Sequence, residues 1–466
     1  MSNSKQRLTW LQNLTYFDVL AFVTLLVLAG AVFPLGSNRP LPASVLAGAL
    51  ACLLILWALG ALAKKPIIIV PKDVLAAGLL ILAVLGWSWL QTVTWTPAAW
   101  HHPVWQVISD IGADTDAVAG MVAINSAAAG PARMNLLGGI AAFTLFFVLG
   151  QRGRRVTLLL YGFMLVTTFY AVLGLYMALS GWQPLDELRQ GQFIHSTFVN
   201  RNHFATYCNI GLAIALVLLF DGSGSVSSEH LSTKASLVRA LTMPLEQKPF
   251  VVMGFGILLL GSLGSISRGG FISLCAGIAV LFFLRGKVTK KIGWPTFVGA
   301  GGFAALLLAV ILLVGDPLLS RFDDPTADAD LLSGGRLAGW LLTIELIKER
   351  PLLGYGLGSY IDLFLMHADE RFRFAFDHAH NDYLETAAEL GLPATFALVA
   401  AIAILVARTG RLVFQTKRVQ RQAASAAFIG SIIVGTHALV DFSLTIPAVS
   451  IAYGALLGLG TAQIKS

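Results

Sequence analysis

Long apolar stretches recur along this chain from near its start to near its end. Twelve candidate spans can be marked, at about 17–36, 43–63, 73–91, 133–150, 156–180, 204–220, 250–267, 271–285, 294–315, 391–408, 423–440 and 444–462. A run of roughly 18 or more apolar residues can cross the hydrocarbon core of a bilayer as a helix. Lipid offers no hydrogen-bonding partner, so a spanning backbone must satisfy its own polar groups, and helices do so. The expected fold is an all-α integral membrane protein with about 12 transmembrane helices. Composition agrees: 56% of the 466 residues are hydrophobic and 12% are charged, against roughly 25% charged in ordinary globular domains. A disordered chain, a secreted disulfide scaffold and nearly every soluble enzyme are excluded. The first run, from Phe17 to Leu35, is too long for a signal-peptide core and lacks a clear small-residue cleavage site, so it is expected to stay as a helix.

Net charge is +7. Basic patches interleaved with aromatics are absent, so no nucleic-acid partner is expected. Cys52, Cys208 and Cys275 lie inside apolar runs without metal-ligand spacing and read as packing residues. The positive charge follows topology instead. Lys64, Lys65 and Lys72 follow span two, Arg152, Arg154 and Arg155 follow span four, Arg285, Lys287, Lys290 and Lys291 follow span eight, and Arg408, Arg411, Lys417, Arg418 and Arg421 follow span ten. With both termini cytoplasmic, 21 of the 32 Lys and Arg fall on the cytoplasmic side with 5 of the 25 acids. The external side then holds 11 basic and 20 acidic residues, as the positive-inside rule requires.

Four regions follow. Residues 1–132 hold spans one to three and the first external loop, 133–315 hold spans four to nine, 316–390 form a large external loop, and 391–466 hold spans ten to twelve. A loop as long as the third region usually has a job or its own fold. Inside it Leu337, Trp340, Leu341, Ile344 and Ile347 recur at helical spacing up to Pro351, which suits an amphipathic helix on the membrane surface. Gly354, Gly356 and Gly358 are expected to make a flexible turn, and a second helix is expected from about Asn381 to Gly391.

The external side carries three polar motifs: His195–Phe204, Ser265–Gly270 and Asp377–Glu385. Arg268 stands between two apolar runs, where a deep arginine costs roughly 2.5–3.5 kcal/mol. It either snorkels to the interface or clamps an anion, since a guanidinium fork matches phosphate oxygens. Gly269 and Gly270 leave room for a bulky headgroup. Arg201, also external, is either an interface anchor or part of the same diphosphate site. His378 and His380 lack the i, i+4 spacing of helical metal ligands. Each is either a hydrogen-bonding loop residue or a base for a sugar hydroxyl, with Asp377, Asp382 and Glu385 available to orient it. The cluster Asp323, Asp324, Asp328 and Asp330 reads as a solvated loop, although its spacing also suits a hard cation. His437 and Asp441, one turn apart near the external end of span eleven, are a packing pair or support for a site.

With these residues in view, the sequence resembles the O-antigen ligase/polymerase superfamily of bacterial inner-membrane glycosyltransferases, most strongly over about 200–447. The stretches that carry it are Phe198-Val199-Asn200-Arg201-Asn202-His203, Ser267-Arg268-Gly269-Gly270, Gly335-Arg336 with Trp340, and Pro351–Gly356. They continue with His378-Ala379-His380-Asn381-Asp382-Tyr383-Leu384-Glu385 and His437–Phe442. The resemblance implies a GT-C-like fold with short helices in the periplasmic loop between spans nine and ten. It implies an inverting, metal-independent enzyme with no cofactor, its active site facing the periplasm. The donor is a glycan on undecaprenyl diphosphate, and the acceptor is lipid A–core, as in lipopolysaccharide biosynthesis, or another glycan. Arg201, Arg268 and Arg336 are implied diphosphate ligands, and His380, then His378, the catalytic histidine. Asn200, Asn202, His203, Asn381, Glu385, His437 and Asp441 are implied support. A ligase is favoured over a repeat-unit polymerase. A 12-span secondary transporter is the remaining alternative, because Asp221–Pro249 divides the spans six and six, but few ionisable residues fall mid-span.

Overall fold

The computed structural model describes residues 14–111, 119–185, 188, 193–220, 246–289, 335–370, 372 and 375–463. Within them the chain is helical and contains no strand. The helices are α1 (Tyr16–Gly30), α2 (Pro40–Lys64), α3 (Lys72–Leu90), α4 (Val104–Ile111), α5 (Ala129–Leu149), α6 (Gly153–Ser180), α7 (Arg201–Phe220) and α8 (Pro249–Gly264). They continue as α9 (Arg268–Thr289), α10 (Arg336–Glu349), α11 (Tyr360–His367), α12 (Asp382–Leu390), α13 (Leu392–Val413), α14 (Arg418–His437) and α15 (Pro447–Thr461). Eleven of the twelve apolar segments coincide with helices; the stretch 294–315 and the aspartates 323–330 lie outside the described residues. Among the described residues, 7 helices are long and apolar enough to cross a membrane, with α1, α8 and α15 shorter but apolar.

α7 is the axis of the bundle. In its most apolar window 89% of residues are buried, against 17% for α3 and 22% for α2. It packs against α6, α8, α9, α14 and α15. Asn209, fully buried, donates to the Gly270 carbonyl at 2.8 Å and accepts from Ser262 at 2.6 Å, joining α7 to α8 and α9. In an apolar bundle such polar contacts hold helices that gain little from hydrophobic association. α5 and α15 meet backbone to backbone, because any side chain at Gly454 or Gly458 would strike the carbonyls of Gly139 and Phe143.

The two ends of the bundle differ. At one, Asp73 pairs with Arg408 (3.2 Å) and Arg411 (2.8 Å), and Asp18 lies 3.9 Å from both Arg154 and Arg155. The other end carries the segment 335–391, which has its own core of Leu342, Leu346, Tyr355, Tyr360, Leu363 and Phe364. That segment is bolted to the bundle. Trp87 Nε1 donates to the Leu390 carbonyl at 2.8 Å, and Gln91 Nε2 donates to the carbonyls of Leu353 and Glu389, each at 2.8 Å.

α10 buries Gly339, Leu342, Thr343, Leu346 and Ile347, because α12 packs on that face; Leu337, Leu341 and Ile344 of the anticipated stripe point outward. Two expectations are corrected. The glycine run is a packed strap rather than a flexible turn. Gly354, Gly356 and Gly358 all have positive φ, and a side chain at Gly354 would meet the Glu389 carbonyl. Asp441 stands beyond the end of α14, so it does not share a helical face with His437. Gly354→Ala combines left-handed strain with a backbone clash and should cost about 2–4 kcal/mol. Thermal unfolding in detergent should show a clear drop in midpoint; an unchanged midpoint would contradict the strap.

Candidate functional site

The three polar motifs are three helix starts at one end of the bundle. Asn200 Oδ1 accepts the Asn202 N–H at 2.8 Å ahead of α7, and Ser267 Oγ accepts the Gly270 N–H at 3.1 Å ahead of α9. Asn381 Oδ1 accepts from Tyr383 and Leu384, both at 3.0 Å, ahead of α12. Short polar side chains cap helices because the first N–H groups have no intrahelical acceptor. Arg201 and Arg268 are the first residues of the capped helices α7 and α9, and Arg336 is the first residue of α10, which has no side-chain cap. A cation at a helix N-terminus opposes the helix dipole. Arginine at three such ends suits a site that awaits an anion.

Each motif also holds one non-glycine residue in the left-handed region: Ser196 (φ 52°), Ile266 (φ 53°) and His380 (φ 51°). Such a conformation costs on the order of 1–3 kcal/mol and persists where the surroundings enforce it. For Ile266 the cause is the three-residue link between α8 and α9. For His380 it is the cap that follows: Asn381 Nδ2 is tied to the Leu439 carbonyl at 2.9 Å, which turns the chain sharply into α12.

Behind these starts lies a buried polar hub. The Asp441 side chain is fully buried. It accepts from Asn202 Nδ2 at 3.3 Å and from Ser443 Oγ, and His203 Nε2 lies 3.7 Å away. A carboxylate only accepts, so Ser443 donates to it. Thr206 Oγ1 lies 2.9 Å from Ser443 Oγ and 2.5 Å from His437 Nδ1, carrying the chain of contacts to His437. The His437 ring rests on Gly269, where an added Cβ would stand 2.9 Å from Nε2. Burial pushes the Asp441 carboxyl up, but His203, His437, Ser443 and Arg336 outweigh it and hold it below its usual range. Arg336 Nη1 donates to the Val440 carbonyl at 3.0 Å. Burial lowers the Arg336 pKa, Asp441 pulls it back and Arg268 pushes it down, so the two guanidiniums are close enough to repel.

His378 and His380 occupy opposite electrostatic environments. His378 Nδ1 donates to Glu385 Oε1 at 2.6 Å, and Glu385 Oε2 accepts the Ala379 N–H at 2.8 Å. Burial lowers the His378 pKa, yet the charge and hydrogen bond of Glu385, aided by Asp377 and Glu389, carry it up to about 9. His380 goes the other way. Burial and then Arg336 lower it to about 4, so its ring is neutral near pH 7. Its Nδ1 is buried without a hydrogen-bond partner among the described residues. Phe442 lies between the imidazoles, with ring centroids 4.1 Å from His378, 4.9 Å from His380 and 4.7 Å from His203.

The structure thus gathers His203, Asn202, Arg336, His378, His380, Asn381, Glu385, His437 and Asp441 into one connected cluster, with Arg268 at its edge. Asn200 acts locally as the cap that sets Arg201, whose guanidinium lies 4.0 Å above the Phe193 ring. Sequence reasoning missed Phe442, Thr206 and Ser443. Phe442 directly follows Asp441 in a quoted motif, whereas hydroxyls within or beside apolar runs gave no signal. No group of three or more metal-ligating side chains occurs among the described residues.

Residues 253–399 match the family model described as O-antigen ligase. That stretch includes Arg268, Arg336, His378, His380 and Glu385, and leaves Arg201, His437 and Asp441 outside it. No curated protein matches the chain.

Since the folded-state pKa of His378 lies above its ordinary value, its pair with Glu385 contributes fully below about pH 6.5. The contribution fades as pH rises through about 9. Glu385→Gln removes the charge, so the His378 titration midpoint should fall by more than about one pH unit. Histidine-resolved NMR titration reads this directly, and an unmoved midpoint would contradict the pairing.

Proposed function

We propose that this chain, whose residues 253–399 belong to the O-antigen ligase family, transfers a glycan from undecaprenyl diphosphate to an acceptor hydroxyl at the periplasmic end of its bundle. Lipid A–core is the acceptor we favour, which makes the reaction a step of lipopolysaccharide assembly. The supporting observation is the gathering of arginine-bearing helix starts beside one neutral and one cationic imidazole. The bundle is read as a multi-pass, GT-C-like inner-membrane protein with both termini cytoplasmic. The arginine-rich end with Asp18 and Asp73 then faces the cytoplasm, and the opposite end, with α10 to α12, faces the periplasm.

The chemistry asks for two things. The acceptor oxygen attacks the anomeric carbon while the bond from that carbon to the diphosphate oxygen breaks, with inversion. The electron pair leaves on the diphosphate, where preorganised guanidiniums stabilise the growing charge in a site shielded from water. Arg201, Arg268 and Arg336 supply this role, so the reaction needs no metal. The hydroxyl proton goes to the neutral imidazole of His380. An anionic diphosphate on Arg336 offsets the charge that depresses His380, so donor binding itself makes the base stronger. His378, cationic through Glu385, adds a fixed positive charge beside the reaction. The lipid tail lies between helices and enters sideways from the membrane.

Purified protein, undecaprenyl-linked donor and lipid A–core test the reading. Arg268→Ala should lower transfer by about 100-fold or more. Lysine there should rescue poorly because it lacks the fork. His380→Ala should lower turnover more than donor binding; normal transfer by either alanine variant would contradict the assignment. Joining of repeat units without transfer to lipid A–core would reassign the chain to polymerisation. Transfer should persist in excess chelator, and activity lost there and restored by a divalent ion would overturn the metal-independent reading.

A further inference from the structure

Three histidines meet on one phenylalanine. Phe442 is nearly buried, and its neighbours on both sides are pinned. Asp441 is held by Asn202 and Ser443, its carbonyl accepts the Asp382 N–H at 3.2 Å, and Ser443 lies against Thr206. The ring therefore cannot shift without breaking the polar hub. His378 stacks on it nearly parallel, at an interplanar angle of 15°, whereas His203 and His380 stand edge-to-face at 79° and 71°.

We propose that Phe442 is a positioning residue that sets the His378 and His380 rings relative to each other and to the arginines. The inference rests on the transferase reading above and deepens it. A flat aromatic face attracts a cation held over it, and Glu385 makes His378 the cationic member of the trio. Stacking fixes the plane of His378, whose Nδ1 is held by Glu385 and whose side chain is 26% exposed. The edge-to-face contact limits the tilt of His380, which has Phe376 as a second ring neighbour, at 5.8 Å. Aliphatic packing at position 442 could fill the volume, but it would supply neither the face nor the edge preference.

Several charged groups surround the two imidazoles and enter any titration. Asp382, Glu385 and Glu389 face His378 from α12, Asp377 from the loop, and His203 from α7. Arg336, Asp441, Asp377 and His378 act on His380. Replacing Phe442 changes none of these charges, and burial lowers the His378 pKa, so lost burial alone would raise the midpoint; a fall therefore reports the loss of the aromatic face.

The test uses the full chain in lipid nanodiscs with histidine-labelled NMR and the transfer assay. In Phe442→Leu the His378 midpoint should fall by about 0.4–1.5 pH units, the loss expected for a cation–π contact. Turnover should fall about tenfold or more while the donor KM changes by less than about threefold. Phe442→Tyr keeps the face and should restore both the midpoint and turnover. If Phe442→Leu leaves the midpoint unmoved, or Phe442→Tyr fails to restore it in a folded protein, Phe442 is packing alone and the proposal is overturned. Should the wild-type protein transfer no glycan, the transferase reading fails, while the midpoint shift still judges the role of Phe442.

Discussion

One buried carboxylate ties one end of this bundle together. Asp441 reaches α7 through Asn202 and His203, and it holds Ser443 beside it. Its backbone carbonyl meets the start of α12 at Asp382, and its charge balances Arg336 at the start of α10. A buried charge is tolerated only when partners surround it, and removing one partner typically costs about 3–5 kcal/mol. The partners of Asp441 come from elements far apart in sequence. The carboxylate therefore fixes how the helix starts converge, and the arginines and histidines inherit that convergence.

The same logic explains why the site is polar and strained inside an apolar bundle. Three arginines stand where helix dipoles repel them, and three non-glycine residues hold left-handed backbone beside them. Each feature opposes folding when taken alone. An anion bound at a helix start offsets the first cost, because the dipole and the guanidinium there both act on its charge. The histidines divide the remaining work. Glu385 keeps one cationic, and burial beside Arg336 keeps the other neutral, so a charged and a neutral imidazole stand within one aromatic contact of each other.

Much of the fold was legible because lipid imposes a simple rule. Apolar length marks the helices, and the caps at Asn200, Ser267 and Asn381 mark where three of them begin. The helix over Arg336–Glu349 was readable for the same reason, bounded by Pro351. Its buried face was not, because both sides of α10 are apolar and only the position of α12 chooses between them. The glycine strap at 354–358 also escaped, since glycines needed for positive φ and close approach look in sequence like glycines of a loose turn. Within the site, the charged motif residues stood out against an apolar chain. Phe442 did not, being one of 28 phenylalanines, and only coordinates reveal that three imidazoles share it.

Where the diphosphate sits is read from a cryo-electron microscopy structure with an undecaprenyl-diphosphate-linked donor bound. The diphosphate is expected among Arg201, Arg268 and Arg336, with the anomeric carbon facing His380 and the lipid tail running out between helices. Density for the diphosphate at the opposite end of the bundle, beside Asp18 and Asp73, would contradict this placement.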